Sequence, residues 1–279
     1  MTLLVFLLCI LAASYIAGLL GSVTGLGGGV VIIPFFTLVL DIDLRYAIGT
    51  SLITAIATSS GSAIAYVKEG ITNIRLGMFL EIATTAGAIC GAALAMYTPT
   101  HLISIIYGIV LIVSVSLSVR RHAGQSGDII TNKWAERFKL NSTYPDASGK
   151  LIPYAVHKVP GGFIVMWLAG ILSGLLGIGS GALKVVAMDT MMKLPFKVST
   201  TTSNFMIGVT AAASAGVYFY RGYINPTLSM PVVLGVLAGA YTGSNVLAKV
   251  SPQKLKIIFA VVVGLLALQM IYKGFTHSI

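Results

Sequence analysis

The sequence predicts an all-α polytopic membrane protein made of two homologous halves, arranged as inverted repeats, each with a glycine-broken hairpin plus three transmembrane helices. Three observations predict it: the apolar composition, an internal repeat, and a pair of matched glycine clusters. Apolar residues fill 56% of the 279 positions and charged residues 9%, against about one-quarter charged in soluble proteins. A water-soluble globule of this size would lack the polar surface to cover itself, and the mean hydropathy of +0.93 agrees. The formal charge of +10 reads first as an orientation signal. No nucleic-acid motif accompanies it, so the expected surroundings are a lipid bilayer, with no nucleic-acid partner. Cys9 and Cys90 both lie in apolar runs, which excludes a disulfide framework or a Cys-rich metal site.

The elements follow in order. A cleaved signal peptide opens on positive charge, whereas the first basic residue here is Arg45, so the run Thr2 to Leu20 reads as a retained membrane segment. Sliding the chain against itself by 152 positions aligns Ala17 to Val110 with Ala169 to Val262 without gaps. Roughly one position in five is identical, twice what shared composition gives. Matched pairs include Gly25/Gly177, Gly27/Gly179, Gly29/Gly181, Thr50/Thr202, Ser51/Ser203 and Thr58/Thr210. The apolar segments of the first half are Thr2 to Val23, Val30 to Leu40, Ala47 to Val67, Leu76 to Met96 and Leu102 to Val119. Those of the second are Gly161 to Leu176, Ala182 to Met192, Val198 to Tyr220, Leu228 to Ala248 and Leu255 to Tyr272. The second segment of each half would rise only about 16 Å, half of a hydrocarbon core of roughly 30 Å. The expected organisation is a first repeat over 1–119, a polar central loop over 120–160 on the cytoplasmic side, and a second repeat over 161–279.

Loop charges favour inversion. With the chain turning back at the glycines, Lys68, Arg75, Lys193, Lys197, Lys249, Lys254 and Lys256 lie inside, and only Arg45, Arg221 and Lys273 outside. Parallel halves would put four of these basic residues inside and six outside, against the positive-inside rule.

The glycine clusters, Gly21 to Gly29 and Gly174 to Gly181, are dense enough to interrupt a helix. The half-helix after each break offers free N–H groups and a positive dipole end, where an oxyanion fits. Unwound backbone at membrane depth needs protein or an aqueous cavity around it, so two breaks imply a shared cavity. The candidate substrate-binding residues at the breaks are Gly25, Gly27, Gly28 and Gly29 in the first half and Gly177, Gly179, Ser180 and Gly181 in the second. Close helix packing through small-xxx-small spacing competes with this reading. A nucleotide loop does not, since no strand precedes the glycines. Thr50 and Ser51, with Thr202, Ser203 and Asn204, open the next segment of each half and could bind an anion or merely cap helices.

Lys184 lies inside the second half-length segment, where its repeat counterpart is Ile32. It reads either as charge for a bound anion or as a snorkelling lysine. Glu81 is the acid set deepest in a long apolar run, a candidate for proton coupling or for pairing with Arg75. Asp189 reads as interfacial. His101, His122, His157 and His277 fall in or beside loops without metal-ligand spacing.

The stretches GLLGSVTGLGGGVVIIPFFTLVL, YAIGTSLITAIA and GLLGIGSGALKVVAMDTMMKLPFKVSTTTSNFMIGVTAAASAG resemble the sulfite exporter TauE/SafE family across essentially the whole chain apart from the central loop. The resemblance implies a permease of the prokaryotic plasma membrane, with relatives that move sulfite, sulfoacetate or other organosulfur anions. One departure from repeat symmetry bears on substrate: Gly27-Gly28-Gly29 is matched by Gly179-Ser180-Gly181, so the two breaks are not equivalent. The expected function is secondary transport, probable export being the family's direction, of a small anion such as sulfite or an organosulfonate by alternating access, without cofactor. The alternatives are an anion channel or an importer of another small anion. An intramembrane enzyme would need a nucleophile and base or a metal set at one depth, and the apolar segments offer neither.

Overall fold

A computed structural model describes residues 3–24, 28–68, 70–120, 133–145, 150–247 and 252–276. In the first half α1 (Leu3–Thr24) leads to a short α2 (Gly29–Pro34), which a π-helical turn (Phe35–Val39) prolongs, then α3 (Leu44–Lys68), α4 (Ile74–Tyr97) and α5 (Thr100–Arg120). The second half repeats the series as α7 (Val159–Leu176), α8 (Gly181–Val186) with a π turn (Ala187–Met191), α9 (Phe196–Tyr220), α10 (Pro226–Leu247) and α11 (Pro252–Phe275). Among the described residues, α4 and α7 are the helices long and apolar enough on their own to cross a membrane. Large apolar side chains face outward on several helices, with Leu8, Ile82, Leu234 and Leu265 more than half exposed. Thr50, Ser51, Thr54, Thr202, Ser203 and Thr210 are buried instead. Water would favour the opposite arrangement, while a lipid environment accepts it.

Among the described residues the chain is helical as expected apart from one short strand pair between the halves. A short α6 (Lys133–Arg137) is followed by β1 (Ser142–Pro145) and β2 (Leu151–Tyr154), an antiparallel pair in register Ser142 to Tyr154. The polar stretch here is too short for a core of its own, so it leans on the membrane part. The Asn73 amide donates to the Leu140 carbonyl and to the Tyr154 hydroxyl, both at 2.9 Å, while its carbonyl oxygen caps α4 by accepting from the Leu76 N–H. Burial raises the Tyr154 pKa above the ordinary phenol value, against the opposing pull of the Asn73 hydrogen bond.

The halves interlock rather than stand side by side. The most extensive helix contacts are α1 on α10 and α4 on α7, which correspond under the repeat, followed by α5 on α11 and α3 on α9. The first two pairs are parallel: Gly87 lies against Trp167 and Gly91 against Ile171, and Gly18 meets Val236. The other two are antiparallel, since Ser104 bonds to Met270 while Gly274 meets His101, and Gly49 meets Tyr223 while Ser59 accepts from the Gly208 N–H. Glycines on both helices of α1/α10 and α4/α7 let each lie against the partner's backbone, a means by which helices associate in lipid.

Two substitutions separate this packing from simple helix propensity. In Gly174→Ala the new methyl would meet the Ala88 carbonyl oxygen and lie 2.8 Å from the Ala92 nitrogen, so thermal unfolding in detergent should show a loss of about 1–3 kcal/mol. Gly216 has nothing within 4 Å of such a methyl, and Gly216→Ala should gain about 0.5–1 kcal/mol from helix propensity.

Candidate functional site

The second break is a sequence of left-handed residues. Gly177 (φ +68°) closes α7, its N–H donating to the Ser173 carbonyl at 2.8 Å. Gly179 (φ +72°) and Ser180 (φ +43°) follow before α8 begins. Glycine is required at the first two, because a side chain at positive φ is strained. Ser180 adopts the same region with a side chain, and its hydroxyl donates to the Ala169 carbonyl at 2.8 Å. Residues eleven apart in a straight helix would be separated by about 16 Å, so this bond fixes a chain that has doubled back on α7. The first break also doubles back on its own helix, a methyl at Gly28 sitting 3.3 Å from the carbonyl oxygen of Ala17, again eleven residues earlier, but Gly28, the counterpart of Ser180, is right-handed (φ −65°). Gly25 and Gly27 lie outside the described residues.

The breaks meet where the halves meet. Ser51, on α3 of the first half, donates to the Gly177 carbonyl of the second at 2.7 Å. Gly29 completes the contact, for a methyl there would fall on the Ser51 hydroxyl and lie 3.4 Å from the same Gly177 oxygen. Across the repeat, Ser203 donates to the Gly181 carbonyl at 3.1 Å. Tyr107 reaches from α5 to the Val30 carbonyl at 3.0 Å. The Thr50 hydroxyl is buried without a hydrogen-bond partner. The Thr202 hydroxyl accepts from the Asn73 N–H at 3.1 Å, on the turn between α3 and α4. Asn204 is buried, and its carbonyl accepts from the Ser59 hydroxyl. Beside the breaks, Val30, Ser114, Ser180, Gly181 and Val263 line a cavity of about 10 Å³, room for about one water molecule and not for an oxyanion.

Lys184 and Glu81, singled out separately in the sequence, stand together. Lys184 is fully buried and donates from Nζ to Thr210 Oγ1 at 2.5 Å. Thr210 Oγ1 in turn lies 2.6 Å from Glu81 Oε1, which also accepts from the Thr85 hydroxyl at 3.1 Å. The second carboxylate oxygen, Glu81 Oε2, is buried without a hydrogen-bond partner. The Lys184 ammonium thus ends inside the protein, and Arg75 donates to the Lys139 carbonyl at 3.2 Å. Thr210 is the residue that sequence reasoning did not bring to the site. Its match with Thr58 was visible, but nothing in the repeat said that its hydroxyl stands between a lysine and a glutamate. Asp189 is partly exposed on the π turn after α8. Among the described residues no cluster of three metal-ligating side chains occurs.

The family model described as Sulfite exporter TauE/SafE matches residues 10–270. The chain is 30% identical over 266 residues to the probable membrane transporter protein YunE of Bacillus subtilis, covering 93% of this chain and 95% of that one. It is 26% identical to YdhB of the same organism, covering 93% and 99%, and 23% identical to the archaeal MJ0441 of Methanocaldococcus jannaschii, covering 94% of each. Both carry the same description, probable membrane transporter protein. No solved structure matches.

Lys184 and Glu81 are opposite charges buried on either side of one threonine hydroxyl, and removing one of two such buried partners leaves the other uncompensated, a loss of about 3–5 kcal/mol. Lys184→Met should therefore lower thermal stability in detergent sharply, and Lys184→Met combined with Glu81→Gln should recover most of that loss. Strictly additive losses would mean that the two residues do not interact.

Proposed function

From the premise that the chain belongs to the sulfite exporter TauE/SafE family and is a multi-pass membrane transporter, we propose that it carries a small anion, sulfite or an organosulfonate, by alternating access, in the direction the gradients set. The observation that carries this reading is the hydroxyl of Ser51 on the Gly177 carbonyl, with Gly29 packed against both. It joins the two breaks across the interface of the halves, where transporters of repeated architecture bind substrate.

The anion site comprises the backbone N–H groups of the two breaks (Gly25, Gly27, Gly28, Gly29, Gly177, Gly179, Ser180, Gly181) and the hydroxyl and amide groups of Thr50, Ser51, Thr202, Ser203 and Asn204. Lys184 supplies charge. Thr50 has a buried, unpartnered hydroxyl to offer. Ser51 and Ser203 hold backbone carbonyls and become donors to the anion when the breaks separate.

The repeats, 1–119 and 161–279, are inverted in this reading, with the 120–160 segment cytoplasmic. The antiparallel packing of α3 on α9 and of α5 on α11 supports it. Two helices that correspond under a two-fold axis and run antiparallel place that axis across their length, hence in the membrane plane. The seven-to-three charge asymmetry of the loops points the same way.

Purified protein in liposomes should exchange internal for external labelled sulfite saturably. A hydrogen bond to a charged group contributes about 1.5–3 kcal/mol, so Thr50→Val should raise the half-saturating sulfite concentration roughly tenfold or more. Absence of saturable sulfite or sulfonate exchange in the wild type would reject the substrate class.

A further inference from the structure

The Lys184–Thr210–Glu81 chain sits in only one of two positions that the repeat makes equivalent. The counterparts of Lys184, Thr210 and Glu81 are Ile32, Thr58 and Val233, so the hydroxyl is duplicated while both charges are replaced by aliphatic side chains. The chain also ties the halves together, Glu81 coming from α4 of the first and Lys184 and Thr210 from α8 and α9 of the second. Lys184 lies one helical turn beyond Ser180, its N–H bonded to the Ser180 carbonyl at 3.1 Å. An ammonium and a carboxylate buried at this depth are kept because something uses them.

We propose that Glu81, through Thr210, holds Lys184 neutralised until Glu81 takes up a proton, and that the freed ammonium then draws a monovalent anion, a sulfonate or hydrogen sulfite, into the break, so that one proton accompanies each anion. The inference rests on the anion-carrier reading above. Its charge balance is simple. Ionised, Glu81 and Lys184 sum to zero, and an arriving anion would leave a buried net charge of minus one. When Glu81 Oε2, the oxygen without a partner, gains a proton from the aqueous side, the pair carries plus one and a monovalent anion restores neutrality. Thr210 links the two events. Its single hydroxyl proton goes either to Glu81 Oε1 at 2.6 Å or to the Met206 carbonyl at 2.9 Å, and loss of the carboxylate charge favours the second. Thr210 is thus a positioning residue, which touches neither anion nor solvent.

The surrounding titratable groups have other engagements or lie at a distance. On α4, Arg75 donates to the Lys139 carbonyl and Cys90 is exposed. On α9, Lys197 is exposed and Tyr218 donates to the Gly174 carbonyl at 3.3 Å. Asp189 is on the partly exposed π turn after α8, and His101 is at the start of α5. The α7 segment VPGGFIVMWLAGILSGLL carries no titratable side chain.

The test compares sulfite exchange with pH-driven sulfite accumulation in the same proteoliposomes, and follows the protonated-carboxyl infrared band of the detergent-solubilised protein through a pH titration. One pH unit is worth about tenfold accumulation at one proton per anion. The wild type should approach that, Glu81→Gln should show no response to the gradient at whatever rate it exchanges, and Thr210→Val should shift the pH profile, with Thr210→Ser restoring it. A wild type that exchanges sulfite but ignores the gradient, or a Glu81→Gln that accumulates like the wild type, overturns the proposal and leaves the carrier standing. If no sulfite moves at all the carrier reading fails, and the infrared titration decides the charge switch. A carboxyl band that Glu81→Gln removes and whose midpoint rises in Lys184→Met supports it, whereas a midpoint indifferent to Lys184 overturns it.

Discussion

An unwound peptide inside a membrane protein can send its hydrogen bonds only to other parts of the same protein, and the centre of this molecule is arranged around that constraint. Around the breaks backbone carbonyls accept from hydroxyls: Gly177 from Ser51, Gly181 from Ser203, Val30 from Tyr107 and, inside α7, Ala169 from Ser180. The breaks are therefore held by side chains from α3, α5 and α9, and by Ser180 within the second break itself. These long helices are in turn locked by the interlocked packing of α1 on α10 and α4 on α7. Loosening any one breaks the account for the rest.

That arrangement gives the hydroxyls two uses. In the closed conformation they satisfy carbonyls, and in the functional reading they turn to an anion when the breaks part. Hydroxyls suit both because each donates and accepts by rotation alone. A fixed cation would not, and Lys184, deeply buried beside the breaks, is matched by a buried glutamate through Thr210. In the proposed carrier, repeat symmetry supplies the cradle and its breaking at Lys184 and Glu81 supplies the charge.

Much of the fold was legible because its signals are local. Apolar runs bounded by polar turns located the ten membrane segments within a few residues, and Gly177 and Gly179 marked left-handed backbone that other residues resist. The repeat predicted that the short second segments would behave alike, and both end in a π turn. Less legible was anything that depends on which faces meet. Thr202 looked equivalent to Thr50, yet its hydroxyl serves the Asn73 N–H while that of Thr50 has no partner. Lys184 and Glu81 are more than a hundred positions apart, and no spacing rule brings them to one threonine. The β1–β2 hairpin was missed because four-residue strands in a polar linker carry little periodicity, and its anchor, Asn73, lies in the other half of the loop structure, on the α3–α4 turn.

The central claim is that the two breaks hold the anion together. Amide hydrogen exchange with and without sulfite tests it most directly, since each break can be followed as its own peptide. The account predicts that sulfite slows exchange at 28–31 and at 177–183 in concert, with the α4–α7 contact around Gly87 and Gly174 unchanged. Exchange that no sulfur oxyanion alters at either break, or that changes at one break alone, would contradict it.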